Sequence, residues 1–249
     1  MNGVRTENEN KKITFLVVAI LVLMITTSGG TYAYLALSVV ANNNITGSVA
    51  SVGLQFSPAP NLVSPTGDYI NTPLVPQYAY NNSKNVLQLA VNGVTPKGKS
   101  SVFPCVDAEG NAVCRVYTFT IQNKSTAAVN VSGTIKFTNP STNLKWAPMS
   151  NATTVAAISS SSDSDIHAAT NGEVALTDAE STPNSSWYLN AGSATSTCTS
   201  AAGSCKQFWI VVWVNETGVV QSDTGTWYAT ISFKDSNGKG VTSSIKGDN

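Results

Sequence analysis

Residues 207–215, QFWIVVWVN, and 225–235, GTWYATISFKD, decide the fold. The first stretch is apolar on both faces from Phe208 to Val214, which predicts a central strand covered on both sides. The second alternates, placing Trp227, Ala229, Ile231 and Phe233 on one face, and is followed by the turn-rich SNGKG and a further strand from Val241 to Ile245. Working outward, 115–123 (RVYTFTIQN) puts Tyr117, Phe119 and Ile121 together, and 129–137 (VNVSGTIKF) puts Val129, Val131, Ile135 and Phe137 together. The short polar KSTAA joins them, so the pair reads as two antiparallel neighbours with one buried and one wet face. Residues 47–56, GSVASVGLQF, read as a strand with Val52, Leu54 and Phe56 on one side. Many such strands between turn clusters imply an all-β chain: an antiparallel β-sandwich of jelly-roll type.

Two stretches interrupt the strands. Residues 58–82, PAPNLVSPTGDYINTPLVPQYAYNN, carry too many prolines for a sheet interior and read as a loop held against the surface, where specificity could reside. Its Tyr69, Tyr78 and Tyr80 either lock that loop down or form a contact patch. Residues 150–200 are dominated by Ser, Thr, Ala, Asn and Gly; they read as an insertion with one short helix near Glu173–Ala179.

Composition narrows the class. Charged residues are 11% of the 249 and hydrophobic residues 42%, the balance of a β-rich extracellular protein rather than a helical bundle. The 14 basic and 14 acidic residues cancel, and both signs are scattered singly beyond Asp68, so no charge run points to nucleic acid. Ahead of them, ITFLVVAILVLMI (13–25) follows Lys11 and Lys12, and no charge recurs until Asp68. That is an export signal: the lysines stay in the cytoplasm and the remainder is translocated to the extracellular face. Gly29 and Gly30 break the segment, and Thr31-Tyr32-Ala33 supplies small residues for an A-x-A-like cleavage between Ala33 and Tyr34. Uncleaved, residues 13–40 would remain a transmembrane helix in the membrane. The organisation is therefore 1–33 as signal peptide or anchor, 34–46 as N-terminal strand or linker, and 47–249 as the ectodomain.

Four cysteines fall in two local pairs, Cys105 with Cys114 across CVDAEGNAVC and Cys198 with Cys205 across CTSAAGSC. Each brackets a turn-forming centre, and Val106 and Val113 flank the first symmetrically, so each pair can close as a disulfide across a hairpin. Neither CxxC spacing nor histidine partners for a metal occur. His167 is the single histidine and lies in polar SDSDIHAAT, so it reads as a solvated loop residue and not as a catalytic base. No HExxH, GxSxG, Walker or EF-hand motif is present. The acid pairs Asp163/Asp165 and Asp178/Glu180 read as solvation in a Ser-rich stretch, with calcium as the alternative. These readings give no catalytic residue, no cofactor and no metal.

Three regions, GGTYAYLALSVVANNNITGSVASVGLQF (29–56), YTFTIQNKSTAAVNVSGTIKF (117–137) and QFWIVVWVNETG (207–218) with GTWYATISF (225–233), together resemble the TasA/camelysin proteins. The resemblance implies a jelly roll, a precursor handled by a SipW-type signal peptidase, and assembly into extracellular matrix fibres of biofilms by strand donation between copies. Carried onto this chain, Ala33 closes the signal and Tyr34, Leu35, Leu37, Val39 and Val40 belong to the donated strand Tyr34–Ala41, apolar and β-capable. The metalloprotease activity attributed to camelysins is not carried over, because no zinc motif is present. The expectation is a non-enzymatic cell-surface structural protein that associates with itself or related subunits. The alternative is a membrane-anchored binding or adhesion domain.

Overall fold

Alternation of the kind seen at 225–235 forces each strand to bury one face, and two sheets satisfy this by facing each other. In the computed structural model the described residues are 53–155, 158–176, 186–193, 198, 203–218 and 225–248. The chain divides into Met1–Ile45 and Thr46–Asn249, and all described residues belong to the second unit. The hydrophobic segment 13–40, the cleavage point between Ala33 and Tyr34, and the donor positions Leu35, Leu37, Val39 and Val40 lie outside them. Among the described residues no helix is long and apolar enough to cross a membrane.

The first antiparallel sheet has β5 (Arg115–Asn123), β12 (Cys205–Val214) and β7 (Leu144–Asn151) at its centre, in that order. β1 (Leu54–Phe56) and β2 (Asn61–Ser64) share the outer edge of β5; β8 (Thr154–Val155) and β9 (His167–Ala168) share that of β7. The second sheet runs β6 (Val129–Thr138), β13 (Thr226–Asp235), β14 (Gly240–Asp248), with β10 (Val174–Ala175) and β11 (Ser186–Leu189) both on the far side of β6. A small hairpin, β3 (Tyr80–Asn81) with β4 (Lys84–Asn85), precedes helix α1 (Val86–Asn92).

The core lies between the sheets. Tyr117, Phe119, Phe208 and Ile210 of the first face Ile135, Phe137, Trp227 and Phe233 of the second, all buried. Phe119 stacks on Phe208 at 5.4 Å, and Phe208 meets Phe233 at 5.3 Å across the gap. Side chains of this size contribute about 1.5–3 kcal/mol each on burial. As read from the sequence, Trp227, Ala229, Ile231 and Phe233 all point inward and are fully buried.

β12 is covered on both faces, also as expected. On its outer side Val211 and Trp213 join Val116, Ala147 and Met149 in a second cluster, capped by Leu87, Ala90 and Val91 of α1. The sequence reading did not place this helix. Asn85 caps it by accepting from the Gln88 amide at 2.9 Å. Gly93 ends it at φ +81°, where an added Cβ would collide with the backbone of Phe103. All nine residues of β5 are buried.

Two sequence expectations are corrected. β5 and β6 are not hydrogen-bonded neighbours: residues 124–128 carry the chain from one sheet to the other, and β5 pairs instead with β12, β1 and β2. Alternation specifies which face of a strand is buried, and both strands satisfy it by facing each other through the core. The short helix expected from Glu173 is absent over residues 173–176, where β10 pairs Val174 with Ile135. Leu176 then enters the core, fully buried, with its amide donating to the Gly133 carbonyl at 2.9 Å.

Candidate functional site

Both disulfides read from the sequence are present, Cys105–Cys114 and Cys198–Cys205. In the first, the turn residues form as their chemistry dictates: the Asp107 carboxylate accepts from the Asn111 amide at 2.7 Å, and Val113 donates to the Cys105 carbonyl at 2.9 Å. This hairpin closes the lid over the first sheet. The second disulfide ties the end of the Ser-rich insertion to the start of β12. Two disulfides fit an oxidising compartment.

The Pro-rich segment is held down. Arg115, buried at the end of β5, donates through Nη1 to the Ile70 carbonyl and through Nη2 to the Thr72 carbonyl. Tyr69 is buried edge-on against Phe103 at 5.1 Å, and Tyr80 packs on the lid cluster. Tyr78 alone of the three tyrosines stays exposed. The segment also supplies an edge strand, β2, where the sequence reading had only a loop.

His167 is not a solvated loop residue. It lies in β9, opposite Trp146, with the two rings 4.5 Å apart. Burial pulls its imidazole below the ordinary histidine value, against the opposing pull of the Asp165 carboxylate. Nε2 of His167 is buried and has no hydrogen-bond partner among the described residues. The Asp163 carboxylate accepts from the amides of Ser159 and Asp165, both at 3.0 Å, and these bonds hold its pKa low. It organises a turn. Asp178 and Glu180 lie outside the described residues. Among the described residues no group of three or more His, Cys, Asp or Glu side chains is placed to hold a metal ion.

What remains is the exterior of the sheets. Three of the four edges are broken into short pieces: β1 and β2, β8 and β9, β10 and β11, each two to four residues long. The fourth, β14, runs unbroken for nine residues, with β13 as its hydrogen-bonded neighbour among the described strands. Tyr117 Oη donates to the Lys246 carbonyl at 3.2 Å, close to where the two sheets meet. Short or covered edges resist unwanted pairing, and a long continuous one invites it.

The outer face of the second sheet differs from that of the first. No lid lies among its described neighbours, and its outward positions carry small hydroxyls: Thr134, Thr138, Thr230, Ser232, Thr242 and Ser244. Ser232 and Thr242 bond to each other at 3.1 Å. Lys136, Lys234 and Lys246 rise among them, all exposed. Sequence reading saw these lysines only as scattered single charges; the signal is their common parity within three neighbouring strands.

No protein-family model matches the chain, and no curated protein does. Among solved structures, a FixG-related protein from Vibrio parahaemolyticus is similar over 55% of this chain and 78% of its own, at 8% identity and a TM-score of 0.28. The cupredoxin domain of amoB from Nitrosocaldus yellowstonii is similar over 80% and 88%, at 12% identity and a TM-score of 0.35. Likeness at this level carries neither a shared topology nor a shared function.

Proposed function

We propose that this protein is an exported, non-enzymatic structural component of the cell surface: a jelly-roll subunit, of the kind found in TasA-like proteins, of an extracellular matrix or fibre. Its segment Tyr34–Ala41, freed by cleavage after Ala33, would be donated as a strand to a neighbouring copy. The observation that supports this reading is the β14 edge, whose nine residues are long enough for the eight of the donor, with β1 and the Tyr117 hydroxyl approaching it, while the other edges are fragmented among the described residues. A backbone ladder of that length supplies affinity without demanding special side chains, which suits a chain whose polar exterior is mostly Ser and Thr.

Mass spectrometry of the exported protein should find the mature chain beginning at Tyr34, and electron microscopy of the purified material should show filaments. Deleting residues 34–41 should leave folded monomers. A mature protein that begins at Met1 and stays monomeric would exclude strand donation and leave a membrane-anchored binding domain.

A further inference from the structure

We propose that the outer face of the second sheet is a docking surface for an anionic polysaccharide. Lys136, Lys234 and Lys246 lie far apart in sequence, yet β-pairing sets them on one face. Lys136 is level with Thr230 and Ser244, Lys246 with Tyr228 and Thr138, and Lys234 with Ser132. With about 4.8 Å between strands and about 6.8 Å between alternate residues of one strand, Lys136 stands about 12 Å from Lys246 and about 14 Å from Lys234. That spacing lets one extended chain of regularly repeated acid groups meet all three ammonium groups.

Among the described side chains, the charge at these positions has one sign. The outward positions from Asn130 to Thr138, Tyr228 to Lys234 and Thr242 to Lys246 contain no carboxylate. Among the described residues, acids occur only at the ends of these strands. Glu173 precedes β10 and Asp248 ends β14, while the Asp235 carboxylate is occupied by the β13–β14 turn, accepting from the amides of Asn237 and Lys239 at 2.9 Å each. Between the lysines the surface offers hydroxyls, which can both donate and accept and so suit sugar hydroxyls. Three lysines on a chain of zero net charge make too weak a field for duplex DNA, whose binding rests on many phosphate contacts, while the hydroxyls between them suit an acidic sugar polymer. This inference is independent of strand donation.

The test measures binding of the purified exported protein to alginate, a polyuronate, with neutral pullulan and duplex DNA as comparators, at low and moderate NaCl. Alginate should bind and weaken with salt, whereas pullulan should not bind. The variant K136Q/K234Q/K246Q should lose about fivefold per lysine, on the order of a hundredfold in all. K84Q/K97Q/K99Q, which removes the same charge from exposed lysines of β4 and of the turn that follows α1, should bind within about twofold of the parent. Each variant changes only exposed side chains, and an unchanged melting temperature confirms that it folds. The proposal fails if the two triple variants lose affinity equally, if the outer-face variant loses none, if pullulan matches alginate, or if DNA binds more tightly.

Discussion

Replacing Leu176 by alanine tests whether the Ser-rich insertion belongs to the sandwich. Leu176 has no exposed surface and sits in the main core beside Gly133 of β6, where a Cβ would lie 3.2 Å from the Leu176 Cβ and 2.8 Å from the Phe233 ring. A leucine packed against a glycine leaves no neighbouring side chain on that strand to fill the space. The cost should therefore include most of the cavity, about 3 kcal/mol within the 2–5 kcal/mol usual for this substitution. For a unit of this size that lowers the melting temperature by about 6–12 °C. Exposed Ser161→Ala should cost less than about 0.5 kcal/mol. Differential scanning calorimetry of both variants, with Gly133→Ala and the double substitution, completes a cycle. Gly133→Ala alone should destabilise by overpacking, and less so once Leu176 is gone, because the two compete for one volume. A drop below about 2 °C for Leu176→Ala, or strict additivity in the cycle, would mean that residues 158–176 do not pack as described.

Removing the first disulfide with C105A/C114A should cost about 3 kcal/mol by loop entropy and act on the lid before the sandwich. Limited proteolysis should then cut between α1 and β5 while the sheet signal in circular dichroism persists; equal resistance of parent and variant would show that the staple is dispensable. His167 gives a pH dependence of defined sign. Its lowered folded-state pKa means that the opened state binds the proton more readily, so its contribution is present above the ordinary histidine value of about 6.5 and is lost as pH falls through it. The melting temperature of the parent should fall more between pH 7.5 and pH 5.5 than that of His167→Phe, and equal falls would show that the histidine is not desolvated against Trp146.

Much of the sandwich is legible in the sequence because β12, β13 and β14 carry strong periods: the two-faced apolar run from Phe208 to Val214 and the inward set from Trp227 to Phe233. The disulfides are equally legible, since each cysteine pair brackets its own turn. Pairing partners are not. β5 and β6 adjoin in sequence and alternate in phase, yet they sit in different sheets, because period reports burial and not neighbours. The insertion looked structureless because its contributions come as single residues, Leu176 and Trp187 among Ser and Thr, below the length at which a period can be seen. α1 escaped for a similar reason: its seven residues fall short of one periodic window, although Asn85 and Gly93 are suitable caps. The lysine face depends on register, which no single strand reveals.

The crossing from β5 to β6 also bears on how the chain acquires its structure. β5 finds β1 and β2 early and β6 finds β10 and β11, but the central pairings of β5 with β12 and of β6 with β13 each close a loop of roughly ninety residues, as the Phe119–Phe208 and Ile135–Ile231 partners show. Such long-range closure makes for slow folding. A chain synthesised from its N-terminus holds two half-built sheets, with their apolar faces uncovered, until residues 205–235 have emerged. Those late strands set the moment at which the apolar faces are covered, and a substitution that delays their pairing would act first on yield and aggregation during folding, even where the finished fold is scarcely less stable.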